Sequence, residues 1–426
     1  MPHPLNLGWN GGEHDVSIPQ RERRRARMTG PMPPGRPLEG IRVLDLSQVV
    51  SGPICGRMLA DLGADVVKLE PPEGDVIRFL HPKVGDDPVS VYFTWVNAGK
   101  RSISLDLRTE RGAALARELA LASDVVLENF RPGTMDKYGL DAASLRATKP
   151  ALVYCSINGW GGDNSWSQRR AYAAMVQAES GRVELDARLR NAPPEQSPHV
   201  DGDITPGLLS VTAIVSALFQ RERTGEGQHL DVSMAEALVY TDEWTTTDLA
   251  GYDGPRIPDT WNYPIFTVAD GTDVAFMGDP TGRLVEIAAA ISDDVVEPAT
   301  SREQAWAVLR ELVARVPDFP TLEARFELFG FLVSEVRTVQ QLADTPWAEE
   351  RGVFVEVEPG ARVAAAPFRS DRADIGVRGP APRFAQHTRE VLAERCGLTD
   401  DELTQLEADG VIHCAGDVDT ARPNWK

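Results

Sequence analysis

The chain has 426 residues, of which 42% are hydrophobic and 25% are charged. This composition is ordinary for a globular protein long enough to hold two domains. Acidic residues outnumber basic ones by 64 to 44, which gives a formal net charge of −20. That charge disfavours nucleic acid and anionic membranes as partners, so an anionic ligand would need a local basic pocket.

The cysteine pattern and the hydropathy indicate where the protein works. Four cysteines are scattered along the chain without a C-x-x-C pair or a secretory signal. We therefore predict a cytoplasmic protein with no metal site and no disulfide framework. No stretch approaches ~18 uninterrupted apolar residues, so no membrane span is predicted. Residues 1–37 have a basic run but no apolar periodicity, and we predict a disordered tail there.

The first structured segment, residues 38–75, has the pattern of a strand, a helix and a second strand. Residues 41–46 and 64–69 are apolar runs of strand length, and Ser51 is a candidate helix cap. A dinucleotide site would require G-x-G-x-x-G at the first strand-to-helix turn. The turn instead reads Ser-Gln-Val-Val-Ser-Gly-Pro, so neither NAD nor FAD is expected.

Strands continue to alternate with helices further along the chain. Strands are predicted at residues 102–107, 124–129 and 152–157, with a helix at 109–122. This alternation predicts the α/β class with a parallel, doubly wound sheet. Ligands of such sheets bind beyond the carboxyl ends of the strands. The segments that follow three of the strands are therefore candidate binding segments: Ser47-Gln48-Val49, Glu128-Asn129-Phe130 and Asn158-Gly159-Trp160.

A second, smaller α+β domain is predicted in the later part of the chain. A long helix at residues 206–223 precedes a change of pattern, in which Asp270-Gly271 marks a hairpin between two strands. Helices follow at 281–291 and 302–316, and two more at 388–396 and 399–409. We predict a large domain from residues 38–235 with 375–426, a small domain from 256–350, and linkers at 236–255 and 351–374.

Asp203 lies beside a glycine just before the long helix, where the positive end of the helix favours a carboxylate. Asp and Gly before a helix more often serve turns and caps, so this pattern alone does not assign catalysis. Lys100, Arg101 and Arg108 surround one predicted strand, and Lys137 and the pair Arg169-Arg170 lie further along the chain. Such a basic cluster would suit a phosphate. Ordinary surface ion pairs explain that basic cluster equally well. Tyr172 could line a pocket, although a half-buried core position is the commoner role for such a tyrosine.

Five segments resemble the class III CoA-transferase family, which includes formyl-CoA, carnitine-CoA and succinyl-CoA transferases and α-methylacyl-CoA racemases. The resemblance spans about residues 38 to 415. The segments are LEGIRVLDLSQVVSGPICGRMLADLGADVVKLEPPEGD, NAGKRSISLDLRTERG, DVVLENFRPGTMDKYGLD, TGEGQHLDVSMAEA and PAPRFAQHTREVLAERCGLTDDELTQLEADGVI.

The resemblance implies a Rossmann-like large domain, a small domain between its two parts, and a homodimer of interlocked subunits. It implies transfer of CoA from an acyl-CoA to a carboxylic acid, through an aspartyl-CoA thioester on Asp203 and without a metal. An aspartate with the ordinary pKa of ~3.9 is already ionised for this role. The implied CoA-binding residues are Val49, Leu105, Arg108, Asn129, Phe130, Lys137 and Arg170. The implied substrate pocket holds Gln48, Val50 and Tyr172.

The chain departs from the family pattern at positions that bear on its substrate. Racemases of the family have a His-Asp pair where this chain has Tyr172-Ala173, and neither of these can act as a base at neutral pH. We therefore expect a transferase rather than a racemase. Formyl-CoA transferases have an acidic residue at the position of Ala173 and a glutamine at that of Val50, so we expect a larger acyl group. A non-catalytic CoA-ester-binding subunit is the third alternative.

Overall fold

The computed structural model describes residues 35–80, 82–83, 89–251, 264–292, 294–328, 331–358 and 360–415. The predicted tail lies outside these ranges, apart from residues 35–37. The described strands are β1 Arg42–Asp45, β2 Asp65–Glu70, β3 Arg101–Leu105, β4 Val125–Glu128, β5 Val153–Asn158, β6 His229–Ser233, β7 Ile265–Thr267, β8 Asp273–Met277, β9 Leu332–Glu335, β10 Phe354–Val357, β11 Ala361–Ala364 and β12 Ile412–His413.

Each predicted helix is a helix in the structure, and several shorter helices are present as well. They are α1 Ser51–Asp61, α2 Val91–Asn97, α3 Glu110–Leu121, α4 Ala142–Thr148, α5 Ala173–Glu179, α6 Arg182–Arg190, α7 Asp201–Thr224, α8 Met234–Thr241, α9 Thr245–Leu249, α10 Leu284–Ile291, α11 Arg302–Val313, α12 Phe319–Glu327, α13 Val339–Ala343, α14 Pro346–Arg351, α15 Thr388–Cys396 and α16 Asp400–Ala408.

A seven-stranded sheet forms the centre of the large domain, in the order β12-β3-β2-β1-β4-β5-β6. Neighbouring strands are parallel except for β12, which pairs antiparallel with β3. One face packs on α1, α7 and α8, and the other on α3, α15 and α16. The predicted α/β class is confirmed. The chain runs to one side of β1 and then to the other, so the crevice between β1 and β4 is the expected ligand site.

Helix α1 begins differently from the prediction, because Val50 and not Ser51 is its N-cap. Ser51 is the first helical residue, and its hydroxyl accepts a hydrogen bond from Asn129 Nδ2 at 3.0 Å. The serine oxygen is therefore committed to the neighbouring strand end rather than to its own helix. This bond links the start of α1 to the end of β4.

Helix α7 begins at Asp201, five residues before the predicted start, and Pro206 lies inside it. At Gly207 a Cβ atom would lie 2.4 Å from Ile54 Cγ2 and from the Ser51 carbonyl oxygen, so only glycine allows α7 to approach α1 this closely. By length and composition α7 is apolar enough to cross a membrane. Its buried side packs against α1, β5 and α8, as in the core helix of a globular domain.

The small domain has its own apolar core. Strands β7, β8 and β9 form an antiparallel sheet, and the predicted hairpin at Asp270-Gly271 joins the first two. Helices α10, α11 and α12 pack on this sheet around Phe266, Phe276 and Phe326. A second hairpin, β10–β11, lies within the predicted linker 351–374 and contacts α2.

Candidate functional site

A cavity of about 400 Å³ lies at the carboxyl ends of β1, β4 and β5, in the crevice that the sheet topology predicts. The structure brings seven of the predicted site residues to its walls: Gln48, Val49, Asn129, Phe130, Arg170, Tyr172 and Asp203. These residues come from four separate segments of the chain. We call this cavity the inner cavity.

Three of the remaining predicted residues line two adjoining cavities. Leu105 and Arg108 line one of about 170 Å³, and Lys137 lines another of about 520 Å³. Phe130 lines both of these and the inner cavity, and we call the three adjoining cavities together the groove. Val50 is not part of the groove. It is 1% exposed and packs in an apolar cluster with Ile77 and Phe93, so its predicted contact with substrate is not seen in this chain.

Asp203 lies in the first turn of α7 and is 9% exposed. Its carboxylate has no hydrogen-bond or ion-pair partner among the described residues. Burial raises the pKa of Asp203 to about 6, so the ordinary pKa that we expected does not hold. The group is still mostly ionised at neutral pH. Gly202 permits this placement, because a Cβ there would lie 2.8 Å from the Ala173 carbonyl oxygen.

The β1–α1 turn, residues 47–49, forms the opposite wall. Val49 has a φ of 66°, a left-handed conformation that is rare for a β-branched residue. Asn129 holds the middle of the turn, since its Oδ1 accepts from Gln48 N at 2.8 Å and its Nδ2 donates to Gln48 O at 2.7 Å. The side chain of Asp75 accepts from Val49 N at 3.2 Å. The turn is thus fixed by side chains that lie far away in sequence.

Buried ion pairs lie beneath this turn: Lys68–Asp75 at 3.0 Å, Lys100–Asp45 at 2.8 Å and Arg78–Glu70 at 2.6 Å. Burial alone would raise the pKa of Glu70, but Arg78, together with Lys68 and the Ser102 hydroxyl, outweighs burial and lowers that pKa to about 2. Burial lowers the pKa of Lys100 to about 8 despite its carboxylate partner. These groups neutralise one another inside the domain.

Of the predicted basic cluster, Lys100 and Arg101 are held in ion pairs and are not free to contact a phosphate. Lys100 is buried against Asp45 under α1, and Arg101 lies at the start of β3, where it pairs with Asp65 and two glutamates of α15. Both lie away from the carboxyl edge because a strand separates its two ends by its own length. Of the three basic residues around β3, Arg108 alone lies at that edge, where it pairs with Asp106 and Glu73.

The β5–α5 connection supplies the outer wall of the inner cavity. Tyr172 is 65% exposed, so it lines the cavity rather than the core. Arg169 adjoins Arg170 and stacks on Trp166, with its guanidinium 4.1 Å from the ring centre. It also pairs with Glu179 of α5, which fixes the end of the connection.

Three further residues line the inner cavity: Arg131, Asn158 and Arg169. Asn158 ends β5 and belongs to a segment that the strand-end rule had predicted, and Arg169 belongs to the basic pair with Arg170. The sequence analysis missed Arg131, which lies three residues after the end of β4. In the part of the chain that the structure describes, no group of three or more His, Cys, Asp or Glu residues is placed to hold a metal ion.

The arrangement suits nucleophilic chemistry on a long anionic ligand. A buried carboxylate lines the inner cavity, the Phe130 ring is shared by all three cavities, and Arg108, Lys137 and Arg170 line the groove. The cations can bind a phosphorylated part of the ligand. The carboxylate can attack an electrophilic carbon.

Comparison with known proteins agrees with this geometry. The family model described as CoA-transferase family III matches residues 38–388. A succinate–glutarate CoA-transferase from Agrobacterium fabrum is 32% identical over 84% of this chain and 95% of its own length. A formyl-CoA:oxalate CoA-transferase from Streptomyces avermitilis is 32% identical over 88% of this chain and 99% of its own length. The crystal structure of a CAIB/BAIF family protein from Brucella suis has a TM-score of 0.75 at 31% identity and covers 84% of this chain and 99% of its own. The chain belongs to CoA-transferase family III and is a CoA-transferase.

Proposed function

We propose that the chain moves CoA from an acyl-CoA to a carboxylic acid through a covalent aspartyl-CoA thioester on Asp203. One observation carries the proposal: Asp203 is a buried carboxylate in the wall of the inner cavity, without a partner among the residues that the structure describes. A carboxylate that is neither paired nor hydrogen-bonded keeps its lone pairs available for attack. Its pKa of about 6 keeps it mostly ionised at neutral pH and more basic than an ordinary aspartate.

The reaction needs no external oxidant or energy source. An Asp203 oxygen attacks the thioester carbonyl, the carbon–sulfur bond breaks, and CoA thiolate leaves a mixed anhydride behind. The thiolate then attacks the side-chain carbonyl of Asp203 and releases the first carboxylic acid. The acceptor carboxylate attacks the resulting aspartyl thioester, and the displaced thiolate captures the new acyl group. One thioester is exchanged for another, so Asp203 returns unchanged.

CoA occupies the groove with its thiol end toward Asp203. Arg108, Lys137 and Arg170 are the proposed partners of its phosphates, because each lines the groove. The small cavity lined by Leu105 and Tyr138 would take the adenine ring. Phe130, which lines all three cavities, would contact the ligand between them.

The acyl group is proposed to be larger than formyl. Ala173 lies where formyl-CoA transferases carry an acidic residue, and Tyr172 next to it leaves an exposed ring at the mouth of the inner cavity. The names of the relatives define a first panel. Succinyl-CoA and formyl-CoA as donors, each with succinate, glutarate and oxalate as acceptors, would be followed by mass spectrometry of the CoA esters. We expect the succinyl donor to be used faster.

Trapping the intermediate tests the mechanism directly. Borohydride added during turnover should reduce an aspartyl thioester to homoserine at position 203, which peptide mass spectrometry detects. Borohydride without acyl-CoA is the control and should leave the peptide unchanged. Exchange of the α-hydrogen in D₂O without an acceptor acid would indicate the racemase alternative instead. An active Asp203→Ala variant would remove the nucleophile assignment.

We also propose that the chain forms a homodimer in the cytoplasm. Leu208, Val215 and Phe219 recur on one exposed side of α7, and Val239 and Tyr240 of α8 are exposed as well. Apolar side chains clustered in this way are typical of covered interfaces. Light scattering of the purified protein should give the mass of two chains. Phe219→Glu should weaken the dimer, whereas Val295→Glu, at an exposed loop position, should not.

A further inference from the structure

The left-handed conformation of Val49 requires an explanation within the fold. A β-branched residue at a φ of 66° is an outlier, and such residues persist only where their surroundings hold them. Val49 lines the inner cavity, so its backbone conformation shapes the wall on which a ligand would lie. The question is which groups hold it there.

Asp75 is the group that contacts the amide of Val49. Both of its carboxylate oxygens accept from Val49 N at 3.2 Å, and one also accepts from Ile77 N. Lys68 pairs with this carboxylate at 3.0 Å and donates to the Ser47 carbonyl at 2.7 Å. The side chains of Lys68 and Asp75 are fully buried. The Lys68–Asp75 ion pair therefore hydrogen-bonds to both ends of the turn formed by residues 47–49.

We propose that the Lys68–Asp75 pair is a positioning pair, which holds Val49 in its left-handed conformation and so keeps the β1–α1 turn in the shape that binds CoA. The inference rests on the proposed function, because it takes CoA as the ligand of the groove. Without the Asp75 acceptor, the valine relaxes toward negative φ, the peptide between Gln48 and Val49 rotates, and that wall of the inner cavity changes shape.

The chain offers a matched control in the pair Arg57–Asp61 of α1. Its two charged groups lie 3.0 Å apart, as in Lys68–Asp75, and they are nearly as buried. The further contacts of Arg57 are with the Trp95 and Ala364 carbonyls. Among the described residues this pair makes no hydrogen bond to residues 47–49, to Lys68 or to Asp75. Loss of this pair weakens the domain without releasing the contacts that hold Val49.

Glycine at position 49 separates a positioning role from a purely structural one. Glycine adopts the left-handed region without steric strain, so a chain with Val49→Gly no longer needs a group to force that conformation. The relevant background is K68M/D75L, which removes both charges together and leaves no unpaired buried ion. The companion K68M/D75N removes the charges but keeps an acceptor for the Val49 amide.

The experiment measures the dissociation constant of free coenzyme A by titration calorimetry for each variant with and without Val49→Gly. We expect K68M/D75L to bind coenzyme A about ten-fold more weakly and K68M/D75N to bind more tightly than K68M/D75L. Val49→Gly should restore most of the affinity to K68M/D75L. It should restore none to the control R57M/D61L. Each change in dissociation constant caused by Val49→Gly is divided by the change that Val49→Gly causes in the unaltered chain.

The outcomes separate the two claims. If the unaltered chain binds no coenzyme A, the proposed function fails. If it binds and Val49→Gly does not restore K68M/D75L, or restores the control equally, the positioning role is wrong. Circular dichroism and thermal unfolding confirm that each variant is folded. If K68M/D75L does not fold, the smaller K68M/D75A takes its place under the same criteria.

Discussion

Buried carboxylates occur both beneath the β1–α1 turn and in the wall of the inner cavity, and the two kinds differ in their partners. Beneath the β1–α1 turn, Asp45, Glu70 and Asp75 each face a cation within 3.0 Å. Across the inner cavity, Asp203 faces none among the described residues. Pairing lowers the pKa of Glu70 to about 2, whereas burial without pairing raises that of Asp203 to about 6. Paired carboxylates hold the backbone in place, and the unpaired one is available to react.

The largest difference between the two kinds should appear in catalysis. Asp203→Asn removes the nucleophile and keeps the volume, so we expect kcat to fall by about 1,000-fold or more. Asp201→Asn, in the same turn of α7, is the matched control and should keep most of the activity. Steady-state kinetics with the best donor from the panel measures both. Similar losses in the two variants would mean that the helix end, and not the nucleophile, was disturbed.

The second largest effect should be on stability and should come from a paired carboxylate. Glu70→Gln leaves the buried Arg78 without a counter-charge, and we expect the free energy of unfolding to fall by about 3–5 kcal/mol. Urea denaturation at pH 7 measures this. The pKa of Glu70 is lowered from 4.5 to about 2 in the folded chain, so its stabilisation is complete above pH 4.5 and is lost as the pH falls toward 2. If the destabilisation by Glu70→Gln stayed constant from pH 4.5 down to pH 2, the Glu70 carboxylate would not be its source.

The carboxylate of Asp203 should lower the free energy of unfolding, whereas that of Glu70 raises it. Its pKa is raised from 3.8 to about 6, so the folded state is penalised progressively as the pH rises between these values. At pH 7 the free energy of unfolding of Asp203→Asn should therefore exceed that of the unaltered chain by up to about 3 kcal/mol. Near pH 3 the two free energies should be equal. Urea titrations at the two values test this. A destabilised variant at pH 7 would mean that Asp203 has a stabilising partner.

The smallest effect concerns Arg108, which two carboxylates already hold. Arg108→Ala should raise the KM for acyl-CoA by about ten-fold through the loss of one charged phosphate contact. Glu73→Gln removes a competing exposed partner of Arg108, and we expect KM to fall by about two-fold. Initial rates at varied acyl-CoA concentration measure both. Opposite directions for the two variants are the essential result.

The sequence predicted more of the architecture than of the electrostatics. Strand alternation placed the sheet correctly, and the strand-end rule found Gln48, Asn129 and Phe130, because these signals are local and periodic. Lys100 and Arg101 lie at the start of β3, where Asp45 and Asp65 from other strands form ion pairs with them. Such pairings exist only after folding, so a run of basic letters could not reveal them.

Backbone detail and burial were equally out of reach. The sequence Val49-Val50 does not show that Val49 has a left-handed backbone conformation or that Val50 is buried in an apolar cluster. The resemblance pointed to Asp203, but its raised pKa follows from the early start of α7, which carries the carboxylate into the fold. Tertiary packing against α1 decides that start, and local propensity does not.

The short strand β12 has a consequence for how the chain is made. Residues 412–413 complete the seven-stranded sheet by covering the edge of β3, although more than half of the sheet is synthesised far earlier. During synthesis the small domain is therefore complete while β3 still has an open edge. An open strand edge is a site for wrong pairing between nascent chains. The segment that covers this edge is thus synthesised after the rest of the sheet, and it protects the large domain from wrong pairing.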